Sequence, residues 1–351
     1  MDSIFSTLFI MARYVSGWFY DVMSLRLIAA LEDMGVTELI VGRRRHTFLQ
    51  DESAFSVTNT LYGLKTVCYH FGSMTEGTTT PGMGSDIDTL SCLDSVNIMS
   101  GWPEWERGRE NLLMVKHETC SPQHYRLQEA RDDLPLPLTQ PYDEYCVTDV
   151  DGKIYKSNTF VGDIAKHHYA DNNEPYFHAG PSHSWSEMYD FVSAFRCRKL
   201  PAECESWFTR SRLRNWPTQE MLQVARELGC FLIPDGHCFS EHSAVEWRVS
   251  PSLIERHLMF SMGIIHIHCY ITLKLLKNDI INPFLNGNGK MTSFHCKTAL
   301  FYAREQLIPE MWTVDRLFDC IIYCLKLLRD WSSDVCSSDL KIRIQLGVFY
   351  I

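Results

Sequence analysis

The stretch that decides the fold is Gly72-Ser73-Met74-Thr75-Glu76-Gly77, followed by Ser85-Asp86-Ile87-Asp88-Thr89-Leu90. On a β-strand, residues i and i+2 face the same side, so Asp86 and Asp88 are expected to project together while Ile87 faces the core. Two adjacent carboxylates repel each other unless a cation lies between them, and oxygen ligands suit Mg²⁺ or Mn²⁺. The glycine–serine turn (Gly72–Gly77) can offer backbone N–H groups and a hydroxyl to phosphate oxygens. The stretch therefore predicts a site for a nucleoside triphosphate and a metal ion.

The alternative for this stretch is a solvated loop that carries glycine, serine and aspartate without a ligand. Two aspartates at this spacing are common in proteins, so the pair alone does not decide between the two interpretations. The rest of the chain has to decide.

Composition limits the class of protein. The chain has 351 residues, of which 45% are hydrophobic and 22% charged, which predicts one large or two closely packed lobes and excludes disorder for most of it. The net charge of −10 argues against a protein that coats nucleic acid over its whole surface, but a local basic groove stays open. The basic clusters are Arg43–Arg45, Arg196–Lys199 and Arg210/Arg212/Arg214, and such clusters more often form solvated faces or internal ion pairs.

Cysteine usage and hydropathy predict a location. The thirteen cysteines are scattered without a CxxC pair, which is typical of a reduced intracellular protein. No run of 18 apolar residues predicts a membrane span, and the first twenty residues lack the features of a secretory signal. We therefore expect a cytoplasmic protein without a membrane partner. Zinc stays open as a minor alternative at two loose groups, Cys230/His237/Cys238/His242 and His266–Cys269.

The order of predicted elements suggests two lobes and a tail. A mixed sheet lobe with N-terminal helices is expected over residues 1–205, and a helical lobe over 206–331. Residues 332–351 repeat Ser332-Ser333-Asp334 as Ser337-Ser338-Asp339 and lose all helical periodicity. We interpret them as an anomalous tail, unstructured or artefactual, and assign them no function.

Individual elements follow from caps and periodicity. Helices are expected up to Gly35 and over 53–67, 220–228, 264–277, 293–307 and 314–331, with a loop at 286–289. Strands are expected over 85–96, 111–118, 174–178, 190–195 and 245–249, with a hairpin around Asp151-Gly152. Ser250-Pro251 is expected to start the helix that carries Ile254 and Leu258.

Four segments in this order resemble a known family. They are Gly72-Ser73 to Asp86-x-Asp88, Asp190–Cys197, Glu246–Ser250 and Ser293–Thr298. Together they resemble the Mab-twenty-one-like nucleotidyltransferases, which include cyclic GMP-AMP synthase and the cGAS-like receptors, over residues 50–331. The resemblance implies an α+β, two-lobed nucleotidyltransferase fold, with a mixed β-sheet catalytic lobe, an N-terminal helix and a C-terminal helical (helix–hairpin–helix-like) lobe.

The resemblance also implies roles for individual residues. Asp190 would be a third metal-binding carboxylate beside Asp86 and Asp88, whereas by itself it could equally be a strand-end or capping residue. Gly72 and Ser73 would cradle phosphates. Lys274 and Ser293 would hold the donor triphosphate, with Lys277 as a substitute for Lys274 and helix capping as the other role for Ser293. The residues expected near the nucleobases are Arg248, Ser250, Ser252 and Glu255, and the alternative for Arg248 is an ion pair with Glu246 or Glu255.

The implied activity is that of a cGAS-like receptor, which would make a cyclic dinucleotide messenger in innate immunity from ATP- or GTP-type nucleotides with Mg²⁺ or Mn²⁺. Double-stranded RNA is the expected activator. The interval between Glu255 and Lys274 lacks a Cys-rich insert, so activation by DNA through a zinc insertion is not expected. Two alternatives stay open: a catalytically silent scaffold or binding protein of the same fold, and a template-independent polymerase with linear products.

Overall fold

A curled mixed sheet and a helical C-terminal part form an α+β molecule, as expected from the sequence. The computed structural model describes residues 17–163, 166, 176–186, 188–285 and 290–333. The predicted loop at 286–289, the start of the predicted strand at 174–178 and residues 334–351 of the predicted tail lie outside the described residues. The first two residues of that tail, Ser332 and Ser333, end the last described helix, so the tail prediction is wrong for them.

The described part of the chain contributes twelve strands to the sheet. They are β1 Thr66–Phe71, β2 Ile87–Leu93, β3 Val96–Met99, β4 Glu110–Val115, β5 His124–Glu129, β6 Cys146–Thr148, β7 Ile154–Lys156, β8 Phe177–Ala179, β9 Ser182–Ser186, β10 Tyr189–Cys197, β11 Cys230–Ile233 and β12 Glu246–Ser250. The main order is β1-β2-β10-β11-β12-β5-β4-β3; the β6–β7 hairpin attaches to β5 and the β8–β9 hairpin to β10.

The α-helices of the described residues flank this sheet at both ends of the chain. They are α1 Gly17–Asp33, α2 Glu38–Leu61, α3 Gly72–Glu76, α4 Glu205–Thr209, α5 Gln219–Leu228, α6 Ser252–Phe260, α7 Ile264–Leu276, α8 Asn282–Leu285, α9 Ser293–Gln306 and α10 Leu317–Ser333. Local signals set several ends: the Thr37 hydroxyl accepts from the N–H of Ile40 at the start of α2, and Gly229 follows α5 with a positive φ.

The N-terminal helix packs with the C-terminal helices. Ile28 and Leu31 of α1 belong to the same buried cluster as Leu317 and Leu328 of α10. The Ser24 hydroxyl accepts from the N–H of Phe318 at 3.0 Å. The first and last of the described helices therefore share one hydrophobic core, while Trp247 and Leu127 lie in a separate cluster formed largely by the sheet.

Three predicted boundaries differ from the structure. The helix expected over 53–67 is the end of the longer helix α2, and Gly63, with a φ of +73°, allows the turn into strand β1. The strand expected over 85–96 is β2 and β3 with a turn between them. Helix α6 begins at Ser252, because Ser250 is the last residue of β12.

Residues 206–331, which the sequence assigned to the helical lobe, also contribute to the sheet. β11 pairs with β10, and β12 pairs with both β11 and β5, so both strands lie in the middle of the strand order. The apolar run Cys230-Phe231-Leu232-Ile233 is fully buried, as expected for a central strand. None of the helices among the described residues has the length and hydropathy needed to span a membrane.

Candidate active site

The register of two parallel strands brings the three aspartates together. β2 and β10 are neighbours in the sheet, and Asp88 is the direct partner of Asp190. Asp86 is the residue immediately before β2. Ile87, the first residue of β2, donates its N–H to the carbonyl of Met188 next to β10. One oxygen from each of the three carboxylates lies within 4.8 Å of the other two. Metal–oxygen distances of about 2.0–2.6 Å allow this spacing around a divalent cation.

The electrostatics of the cluster are unfavourable without a cation. Burial, followed by the charges of Asp86 and Asp190, raises the pKa of Asp88 to about 7. Burial also raises the pKa of Asp86, and the charge of Asp190 adds to that effect. The carboxylates therefore resist ionising together, and a bound cation would remove the conflict.

Gly72 fits against one of these carboxylates. Phe71, the last residue of β1, is the partner of Asp88 in the antiparallel β1–β2 pair, so α3 begins directly beside the Asp88 side chain. Gly72 has a φ of +72°, and a Cβ at this position would lie 1.7 Å from an oxygen of Asp88. Only glycine combines this backbone conformation with this approach.

Ser73 is bound from the helical part of the molecule. The Nζ of Lys274, on α7, donates to the Ser73 hydroxyl at 2.7 Å and to the carbonyl of Thr78 at 2.9 Å. Lys274 is only 4% exposed, and burial lowers its pKa to about 8. The structure thus brings Lys274 to the glycine–serine turn, while its expected contact with a triphosphate stays a prediction.

Ser293 lies at the start of α9 but does not cap it. Thr292 has the extended conformation of a capping residue, and Ser293 is the first helical residue, so the predicted capping role of Ser293 is wrong by one position. The Ser293 hydroxyl instead accepts from the Nζ of Lys277 at 3.1 Å. The two lysines therefore divide the contacts: Lys274 binds Ser73 and Lys277 binds Ser293.

The four residues expected near the nucleobases make three separate sets of contacts. The Nε of Arg248 donates to Asp235 at 2.7 Å, so the predicted ion pair with Glu246 or Glu255 is wrong. The hydroxyls of Ser250 and Ser252 lie 2.6 Å apart. Glu255 faces Lys297 at 3.8 Å.

An ion pair between Glu76 of the turn and Lys297 was not predicted from the sequence. The Nζ of Lys297, on α9, lies 2.7 Å from the carboxylate of Glu76, which is 3% exposed. Burial alone would lower the pKa of Lys297, but Glu76, Tyr270 and Glu255 outweigh it and raise the pKa. Both residues lie within segments that carry the family resemblance, Gly72–Asp88 and Ser293–Thr298. The available signal was the four-residue spacing between Ser293 and Lys297, which puts both on one face of α9.

Several arginines of the basic clusters are used in internal contacts. Arg44 donates to the carbonyl of Thr79, and Arg45 donates to the carbonyl of Glu76. Arg196 donates to the carbonyl of Leu228, and Arg210 forms an ion pair with Glu305. These four guanidinium groups therefore have protein partners, whereas Arg43 is exposed on α2.

Among the residues that the structure describes, the three aspartates are the group of histidine, cysteine, aspartate or glutamate side chains spaced to hold a metal ion. The two Cys/His groups considered for zinc do not meet that spacing. No protein-family model matches the chain, and no curated protein matches it. The family resemblance stays a prediction from the sequence.

Proposed function

We propose that this protein is a metal-dependent nucleotidyltransferase with the two-lobed nucleotidyltransferase fold. The observation that carries the proposal is the meeting of Asp86, Asp88 and Asp190 from two neighbouring strands, beside a turn that two elements of the helical part contact. A site with clustered acids on one side and buried lysines on the other suits a triphosphate with its divalent cation.

The donor set fits Mg²⁺ or Mn²⁺. All three candidate ligands are carboxylates, which these hard cations prefer, and the raised pKa of Asp88 marks a place where added positive charge is favourable. When bound, such a cation would lower the pKa of an attacking ribose hydroxyl and neutralise charge on the triphosphate. Asp86, Asp88 and Asp190 would hold it.

Other residues would bind and orient the nucleotide. Gly72 and Ser73 would cradle the phosphates, and the absence of a side chain at Gly72 leaves room for the Asp88 carboxylate beside them. Lys274 and Lys277 would exchange their contacts with Ser73 and Ser293 for phosphate oxygens. Each transfer would form one phosphodiester bond and release pyrophosphate.

The contacts to the nucleobases and the step that closes the ring are proposed from the sequence resemblance. Arg248, Ser250, Ser252 and Glu255 would lie near the nucleobases, although Glu255 is shared with Lys297. A second transfer within the linear dinucleotide would close the ring, which makes the protein a cGAS-like receptor in innate immune signalling. A cytoplasmic location and activation by double-stranded RNA belong to the same proposal.

The proposal is tested by incubating the purified protein with ATP, GTP and Mn²⁺ in the presence of double-stranded RNA, double-stranded DNA or neither. Mass analysis should detect a dinucleotide without free ends, and Asp86→Ala should abolish nucleotide consumption. Linear products would indicate a polymerase. Turnover by Asp86→Ala equal to that of the unmodified protein would overturn the assignment of the site.

Thermal unfolding separates an enzyme from a silent scaffold. A ligand at a hundred times its dissociation constant stabilises the folded state by about 2.7 kcal/mol. ATP or GTP with Mn²⁺ should therefore raise the unfolding temperature of the unmodified protein. No shift and no product across all conditions would favour the scaffold.

A further inference from the structure

Two contacts join the glycine–serine turn to the helical part, and a third, within the helical part, completes a closed ring. Ser73 binds Lys274 at 2.7 Å, Lys277 binds Ser293 at 3.1 Å, and Lys297 binds Glu76 at 2.7 Å. The remaining connections run along the chain: Ser73 and Glu76 lie in α3, Lys277 follows Lys274 by three residues, and Ser293 and Lys297 lie one turn apart on α9. We call these six residues the contact ring.

The three contacts differ in what a nucleotide would do to them. Under the proposed function, Ser73, Lys274, Lys277 and Ser293 are the groups that phosphate oxygens would recruit, so their mutual contacts would be exchanged on binding. Glu76 and Lys297 have no such role. Glu76 is 3% exposed, and the Lys297 side chain is 13% exposed and lies between Glu76 and Glu255.

The ion pair is placed to control the position of the turn. Its carboxylate belongs to the last residue of α3, three residues after Ser73. Arg45 of α2 binds the carbonyl of the same residue at 3.0 Å and also donates to the carbonyls at the end of α6. α3 is therefore held at its C-terminal end from several elements, while its N-terminal end faces Asp88.

We propose that the buried Glu76–Lys297 ion pair is a positioning device, which fixes the glycine–serine turn to α9 and keeps it in place when a triphosphate takes over the other two contacts of the ring. Lys297 and Glu76 do not touch substrate in this inference. It rests on the proposed function for its consequence, but the fixing of the turn can be measured in the nucleotide-free protein.

The test variant replaces both partners, Glu76→Gln with Lys297→Met. Removing Lys297 alone would leave the buried Glu76 carboxylate without its partner, whereas replacing both residues by neutral ones of similar volume is often tolerated. Glu255 also loses its contact with Lys297 in this variant, but burial raises the pKa of Glu255, so that it can take up a proton. The matched control is Arg210→Met with Glu305→Gln, because that pair is also largely buried, also involves α9, and does not contact the turn.

Hydrogen exchange reports how often the turn opens, and therefore how firmly it is held. The N–H groups of Gly77 and Thr78 donate to carbonyls within the turn, so their exchange measures its opening. In the test variant we expect exchange at these amides to be faster by about tenfold or more, with protection of the central strands unchanged. The control variant should leave exchange in the turn within about twofold of the unmodified protein.

Nucleotide affinity gives the second measurement. The dissociation constant of a non-hydrolysable ATP analogue with Mn²⁺ should rise by about tenfold in the test variant and stay unchanged in the control. Equal exchange at Gly77 and Thr78 in a folded test variant and the unmodified protein would overturn the inference, as would an equal effect of both variants. If the unmodified protein binds no nucleotide while exchange responds as expected, the proposed function fails and the positioning role stands.

A milder variant keeps the test decisive if the double variant does not fold. Glu76→Asp retains the charge but shortens the reach to Lys297 by one methylene group. Exchange at Gly77 and Thr78 should then be faster by about two- to threefold. Unchanged exchange in folded Glu76→Asp, in the absence of a folded double variant, would count against the ion pair as a positioning device.

Discussion

The acidic and the basic sides of the candidate site are held in different ways. Asp86, Asp88 and Asp190 are fixed by backbone: a parallel strand pair and the residue just before it. Lys274, Lys277 and Lys297 reach the site on long side chains from the helical part, and each already has an oxygen partner there. The ion pairs found among the described residues involve none of the three aspartates.

This difference indicates which side needs a ligand. Backbone geometry holds the carboxylates together although their charges repel. Binding of a cation would relieve this repulsion and stabilise the acidic side. The lysines are satisfied within the protein and would exchange one oxygen partner for another. The increase in the free energy of unfolding on binding a divalent cation should therefore come mainly from the three aspartates and little from the lysines.

The largest effect is expected at the glycine that joins the two sides. In Gly72→Ala the new Cβ would meet the Asp88 carboxylate, and alanine disfavours a positive φ by about 1–2 kcal/mol. Displacing the carboxylate by about 1 Å should lower turnover by roughly a hundredfold or more. Steady-state kinetics and thermal unfolding measure the two consequences.

Gly82→Ala is the control for backbone strain alone. Gly82 has a φ of +86°, and a Cβ there would meet nothing within 4 Å. We expect a similar loss of stability from strain and little loss of turnover. Equal turnover defects in Gly72→Ala and Gly82→Ala would show that contact with Asp88 is not what matters.

A comparably large effect on metal binding is expected from Asp88→Asn. Loss of a ligand should weaken Mn²⁺ affinity by more than the roughly 10–100-fold typical of a supporting residue. The same change should raise the free energy of unfolding in the presence of EDTA at pH 8, on the order of 1–3 kcal/mol, because it removes a partly buried charge that its neighbours repel. Isothermal titration and chemical denaturation give the two values; a loss of metal-free stability would contradict the proposed repulsion.

The acidic side also predicts a pH dependence. The folded pKa of Asp88, about 7, lies above the ordinary value of 3.8 for an aspartate, so the folded protein binds this proton more tightly than the unfolded chain. The resulting stability is fully present below about pH 4 and is lost as pH rises through about 7. Without divalent cations, the difference in unfolding free energy between Asp88→Asn and the unmodified protein should grow over that range. A difference that does not change with pH would contradict it.

Local sequence patterns predict the pairing of Asp86 with Asp88, whereas the partners from distant parts of the chain needed the family resemblance or were missed. The spacing of Asp86 and Asp88 placed both on one side of a strand from local geometry alone. The partnership of Asp88 with Asp190 needed the family resemblance, because no local pattern reveals which strands run side by side. The ion pair of Glu76 with Lys297 spans 221 positions and joins residue types that are usually exposed.

The same contrast explains the errors in the fold. The helix was predicted too late in the sequence because the short apolar segment before Gly72 fits either the end of a helix or a strand. The break between helix α2 and strand β1 at Gly63 depends on the backbone conformation of that glycine. Strand β11 was missed because four buried apolar residues after a helix show no alternation. In both cases the segment is a strand because it pairs with strands that are distant in sequence, and local preference does not reveal that pairing.

A smaller effect is expected for the lysines that bind the turn and α9. Lys274 is 4% exposed and donates to two oxygens, whereas Lys277 is 9% exposed and donates to the Ser293 hydroxyl. Lys274→Met should therefore weaken binding of an ATP analogue by about 10–100-fold and Lys277→Met by several-fold, corresponding to roughly 1.4–2.8 kcal/mol for the former. The control is Lys199→Met, whose lysine pairs with Glu104 on the surface. The reverse order of the two affinities would contradict the assignment of Lys274 to the turn.

The smallest effect is expected from Thr75→Val, within α3 itself. The Thr75 side chain is fully buried, and its hydroxyl has no hydrogen-bond partner among the described residues. Replacing such a group by an apolar one of the same shape is close to neutral or stabilising, so the free energy of unfolding should change by no more than about 1 kcal/mol. Ser73→Ala, two residues earlier, removes one of the two oxygen partners of Lys274 and should weaken nucleotide binding with little change in stability. Urea denaturation and nucleotide titration of both variants test whether one face of α3 serves the phosphates and the other the core, and a marked loss of nucleotide affinity in Thr75→Val would contradict that division.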